Sequence, residues 1–350
     1  MKLRHSLLIL ALFLSGCAEF TYYTQAVTGH LGILLNSRTL DQVMDDPSTP
    51  PETRTRLELA RDIRDYASRT LKLPENRSYR IYSDLGRPAA LWNVFAAPEL
   101  SLELKTWCYP IAGCLGYRGY FSRKSADALA ADLKAQGYET FVGPVGAYST
   151  VGWFNDPLLN TVIKRSDPEL AAVIFHELAH QRLFLPGDTA FSESFATAVE
   201  IEGVRRWLAD RGKPEEFTNY MERLKRREQF MELVLRYRKQ LETLYASTKS
   251  DDAKRAEKTR VFEKLRSDYA ALKASWGGYS GFDMWLTNGE LNNARMGAVG
   301  VYHQHVPAFQ ALFTKLGGDF EAFYRETERI AKLTPSKRAK FLIGLTEKGA

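Results

Sequence analysis

The spacing of hydrophobic positions changes several times along the chain, and each change predicts an element. Leu7 to Leu14 is a continuous apolar run, and Tyr22 to Met44 is apolar and helix-like despite Gly29 and Gly32. After a break at Pro47–Pro51, Leu57, Ala60, Ile63, Ala67 and Leu71 recur three or four apart, as on an amphipathic helix. Over 79–121 the pattern shortens to strands: Tyr79-Arg80-Ile81-Tyr82, Leu91 to Phe95, Leu104 to Trp107 and Tyr117 to Phe121. A helix over 123–136 stops at Gly137, and Tyr138 to Val142 reads as another strand. From 214 the chain is helical again. Residues 214–247 and 252–274 predict a long antiparallel pair, broken at Ser247–Asp251. A glycine-rich loop from Trp276 to Asn288 follows, then a helix begun by Asn292 and Asn293 and carrying Tyr302, His303 and His305.

The stretch Asp167 to Glu200 departs from this amphipathic pattern. Asp167-Pro168-Glu169 reads as N-cap, first-turn proline and first-turn acid. Leu170, Ala171, Val173, Ile174, Leu178 and Leu183 then form a nearly unbroken apolar run, which predicts a buried helix ended by Pro186-Gly187. In its middle stand His176, Glu177, Leu178, Ala179 and His180. Histidines four apart share a helix face, so both imidazoles reach one ion, and the intervening glutamate can act on water beside it. Three polar groups in a buried patch are costly unless something pairs them, and a metal removes that cost. The pattern therefore predicts a zinc hydrolase site, with Glu177 as the proton carrier. A catalytic zinc takes a third protein ligand. Asp188 can cap a second helix whose Phe191, Phe195, Ala198 and Val199 pack on the first, and Glu193 lies one turn into it. Glu193 is the expected ligand. Glu200, on the same face, is its rival, a partner orienting an imidazole, or an acid that binds a substrate amine.

The runs HELAHQRLF, GDTAFSESFATAVEIEG and the RRWL after them resemble the family of bacterial lipoproteins called putative zinc aminopeptidases, which are HExxH-plus-glutamate metallopeptidases. YPIAGCLGYRGYF at 109–121, YSTVGWFNDP at 148–157, LNNARM and VYHQHVPAF extend the likeness over nearly the whole mature chain. The chain departs from the family pattern at Ser192, where asparagine is usual before the ligand glutamate. The resemblance implies an edge strand at Tyr148 to Phe154 that binds substrate backbone, with Gly152 allowing close approach and Trp153 or Phe154 walling a pocket. It also implies a tyrosine or histidine that donates to the developing oxyanion, for which Tyr302 is the candidate.

The N-terminus alters the setting of this chemistry. Lys2 and Arg4, the apolar run and Leu14-Ser15-Gly16-Cys17 form a secretory signal over 1–16 that resembles a lipobox, so Cys17 is expected to be lipidated. Ala18 is not the aspartate of inner-membrane retention, which favours the outer membrane, facing the periplasm. In that oxidising compartment Cys108 and Cys114, with Pro110 and Gly113 between them, are expected to form a disulfide. The formal charge of +6, two units of it from Lys2 and Arg4, is too mild and too mixed with acids for nucleic acid.

The expected protein is thus α+β, mostly helical, with a small sheet packed against the HExxH helix and a long helical pair. After the signal, residues 17–350 form a single region: helices and strands over 17–157, the zinc-site helices over 158–212, and a helical part over 213–350. The expected function is a zinc-dependent peptidase, in the aminopeptidase direction, with a peptide as substrate and the membrane reached through Cys17. The competing readings are an envelope lipoprotein whose zinc site is structural, and hydrolysis of a non-peptide amide or ester such as cell-wall material.

Overall fold

A computed structural model describes residues 21–109, 113–147, 155–287, 289–299 and 305–347. In chain order the elements are α1 (21–35), β1 (Arg38–Thr39), α2 (Leu40–Met44), α3 (Pro51–Arg69), β2 (Ile81–Ser83), β3 (Leu91–Pro98), β4 (Trp107–Tyr109), β5 (Gly113–Leu115) and β6 (Arg118–Tyr120). Then come α4 (Arg123–Ala135), β7 (Tyr138–Val145), β8 (Leu158–Leu159), α5 (Asn160–Ile163), α6 (Asp167–Arg182), α7 (Thr189–Asp210), α8 (Pro214–Tyr245) and α9 (Asp251–Ser275). Five short helices close the chain: α10 (Asp283–Thr287), α11 (Asn293–Gly297), α12 (Val306–Lys315), α13 (Phe320–Ala331) and α14 (Pro335–Glu347). The fold is α+β and mostly helical, with small sheets. It divides into two compact units, each assembled from three separate stretches of the chain.

The first unit takes the chain up to Ser37, then Arg87–Gly146 and Glu232–Val299. Its antiparallel sheet has the order β6-β3-β7, and α4 packs on it. Trp92, Val94 and Ala96 alternate inward from β3 onto Ala126, Ala130 and Leu133 of α4, the period-two pattern of a half-buried strand meeting a helical face. The β4–β5 hairpin pairs Cys108 with Cys114, and the two form a disulfide. Closing so short a loop contributes about 2 kcal/mol on the chain-entropy estimate. The helical pair doubles back on itself, since Tyr237 of α8 donates to Asp268 of α9 while Lys254 reaches the Tyr245 carbonyl. Asn292 and Asn293 do not open a long helix. Asn292 caps the short α11, and Asn293 is pinned by Glu139, the Glu99 carbonyl and Tyr245, so this stretch ties α11 to the sheet.

The second unit is built from Arg38–Gly86, Ala147–Met231 and Gly300–Ala350. Its sheet, β1-β2-β8, is only two or three residues deep, with β8 parallel to β2. Helix α6 is covered by α7 and α3. The sheet reaches α6 through its flanks, where Gln181 bonds Ser78 and Asp156. The cap of α6 is Ser166, not Asp167: the Ser166 side chain and Glu169 close a capping box, and Asp167 pairs with Arg56 of α3. Asp188 caps α7 as expected, accepting from the Phe191 amide at 3.0 Å. That helix runs on to Asp210, because its apolar face continues through Val204, Trp207 and Leu208, all buried. Phe191 and Phe195 of α7 meet Phe309 of α12, and Phe195 stacks on Phe323 of α13. Arg338 of α14 adds two hydrogen bonds to Asp188, at 2.9 and 2.7 Å.

Candidate metal centre

The centre lies within the second unit, on α6 and α7. One turn of α6 separates His176 from His180 and brings their Nε2 atoms to 3.1 Å. The carboxylate of Glu193, one turn into α7, lies 3.3 Å from His176 Nε2 and 3.4 Å from His180 Nε2. A tetrahedral ion bound to nitrogen and oxygen at about 2.0–2.1 Å has its ligand atoms about 3.3 Å apart. The three donors stand at that separation, so they can hold a metal ion. Their chemistry, two imidazoles and a carboxylate, suits zinc.

Glu200, two turns beyond Glu193, does not join the three. One oxygen lies 2.8 Å from His176 Nδ1, and the other accepts the hydroxyl of Tyr220 on α8. With Nδ1 donating to Glu200, His176 keeps the Nε2 lone pair directed at the centre. Of the roles open to Glu200 in the sequence, the geometry matches the orienting partner. Tyr220 was not foreseen. A tyrosine among the apolar positions of a charged helix reads as core, and only the tertiary structure brings its hydroxyl to Glu200.

The charges are strongly coupled. Burial disfavours protonation of His176, yet hydrogen bonds to Glu193 and Glu200 outweigh it and raise the imidazole to about 10. Burial likewise opposes the Glu193 charge, and the two histidines overcome it, holding the carboxyl well below its usual range. An ion entering this site must displace a proton. Glu177 is half-buried on the same turn, and among the described residues its carboxylate has no hydrogen bond or ion pair. Its place in the chain, next to His176, sets it beside the donors.

The expected substrate residues Gly152, Trp153 and Phe154, the oxyanion candidate Tyr302 and the lipidation candidate Cys17 lie outside the described residues. His305 does not share a helix with the asparagines; it stands just before α12, and its backbone amide donates to Ser194, next to Glu193. Ser192, where the family usually has asparagine, bridges the α6–α7 loop, accepting from the Leu185 amide at 3.0 Å and donating to the Asp188 carbonyl at 3.1 Å.

Two histidines a turn apart, joined by a glutamate from the following helix, define the class: a protein with an HExxH-plus-glutamate site. The chain belongs to the family described as putative aminopeptidase, whose model matches residues 21–342. No curated protein and no solved structure matches it.

Proposed function

We propose that the protein is a zinc-dependent peptidase, lipid-anchored at Cys17 and facing the periplasm, that removes residues from peptide N-termini. The observation that carries the hydrolytic reading is the convergence of His176, His180 and Glu193, with Glu177 next to His176 on the same helix. The aminopeptidase direction rests on the family description. His176, His180 and Glu193 hold the ion, and Glu200 with Tyr220 keeps the His176 ring in place. When bound there, zinc supplies a Lewis acid for the scissile carbonyl and lowers the pKa of water. Glu177 takes a proton from the water that attacks the carbonyl carbon, and delivers it to the nitrogen of the leaving amine as the C–N bond breaks. Tyr302 is proposed to donate to the developing oxyanion, and residues 152–154 to line the peptide.

The test pairs zinc stoichiometry with cleavage of a peptide library. Glu177→Gln is expected to retain one zinc and lose activity by about 10²-fold or more. If wild type and variant bind zinc and are equally inert, the non-catalytic envelope role replaces this reading. A free-amine substrate compared with its N-acetylated twin tests the direction, and equal rates would exclude an aminopeptidase.

A further inference from the structure

Helix α1 contains no Asp, Glu, Lys or Arg. One side of it is held by the first unit: Arg118 lies 3.8 Å over the Tyr22 ring, Gln25 bonds the backbone of Gly119 and Phe121, and Gly29 sits against the Phe121 side chain. The other side is open. Tyr23, Val27, Leu31 and Leu35, each one turn after the last, are 40%, 56%, 45% and 82% exposed. Thr28 on this side turns its hydroxyl back to the Thr24 carbonyl at 2.7 Å, which leaves its methyl outward. A solvated helix face carries charges; this one is an uncharged apolar ridge.

Two features indicate what covers it. Cys17 precedes residue 21 by four residues, which span at most about 14 Å even when fully extended. With Cys17 acylated, α1 therefore starts beside the headgroup layer. The start of the helix also carries a tyrosine cluster, Tyr22 and Tyr23 against Tyr109 and Tyr120, the residue type that suits a membrane–water boundary. No described helix is long and apolar enough to cross a membrane, so this one would lie along the surface.

We propose that α1 lies in the bilayer interface with Tyr23, Val27, Leu31 and Leu35 in lipid. The first unit is then held flat against the membrane instead of swinging from its acyl chains. The proposal rests on the lipid-anchored reading above, and one experiment separates the two. With Cys17 acylated and Cys108 bridged to Cys114, Leu31→Cys or Leu35→Cys supplies a single thiol for an environment-sensitive fluorophore. The labelled full-length lipoprotein is reconstituted into phosphatidylethanolamine–phosphatidylglycerol vesicles, with or without nitroxide on the acyl chains. The expected result is a blue-shifted emission that loses most of its intensity in the nitroxide vesicles. Protein that sediments with vesicles but keeps a water-like emission at both positions overturns the docking and leaves the anchor standing. Blue emission that nitroxide lipids do not quench, together with cross-linked dimers, overturns it in favour of a second copy of the chain. Protein that stays in the supernatant overturns the anchored reading, and the docking with it.

Discussion

Tyr220 reaches the proposed ion only through two other residues, yet it closes one side of the Glu200 carboxylate that holds His176. Replacing its hydroxyl removes a hydrogen bond to an acid, not a ligand. Tyr220→Phe is expected to weaken zinc binding by about 10-fold, within the range for partners of metal-bound histidines, with little change in metal-free thermal stability. Chelator competition measures this, and an unchanged affinity would show that Glu200 orients the ring unaided. At this scale the sequence was most legible where spacing alone sets geometry. The i,i+4 histidines needed only a helix, and Glu193 only a short loop. The choice among roles for Glu200 was not legible, because a residue on α8 decides which way the carboxylate turns.

Helix packing brings the donors together, and one glycine sets how closely α7 approaches. A Cβ on Gly203 would lie 2.7 Å from Leu71 Cδ1 and 2.8 Å from Phe175 Cδ2, and Phe175 is the neighbour of His176. Gly203→Val should therefore destabilise the protein by about 1–3 kcal/mol through overpacking, seen as a lower urea midpoint. A midpoint equal to wild type would mean that the two side chains step aside freely. Elements with strong periodicity, α3 and the α8–α9 pair, were readable from the sequence. The expected helix over 22–44 is instead two, because Asn36 and Ser37 bond their side chains back to the Gly32 and Ile33 carbonyls and Thr39 then caps α2. Strand ends were harder to read. β3 extends to Pro98 because β7 continues alongside it as far as Tyr138, a pairing no local pattern announces.

Across the whole molecule, several tyrosines are protonated more firmly than in an unfolded chain. Burial pushes Tyr82 up to about 12 and raises Tyr66, Tyr245 and Tyr324 as well, with Asp210 assisting at Tyr66. A phenol raised in the folded state contributes stability that is complete below its unfolded pKa and is lost as pH rises through the folded value. In the metal-free protein the raised His176 should lower urea midpoints between about pH 6.5 and 10, and the tyrosines should lower them further between about 10 and 12, with phenolate absorbance appearing together with unfolding. A midpoint that stays level throughout would contradict these assignments. Both units contain such tyrosines, Tyr245 in the first and Tyr66 in the second, so the fall is not confined to one. That interleaving was not visible in the sequence, since compactness depends on pairings between distant segments.

Asp188 opens the helix that delivers Glu193, and it is gripped by an arginine 150 positions later. A product cut after α13 would retain every proposed ligand and still lack that clasp. The integrity of the centre therefore depends on the arrival of the tail, and a C-terminal clip far from the histidines is a route to slackening it.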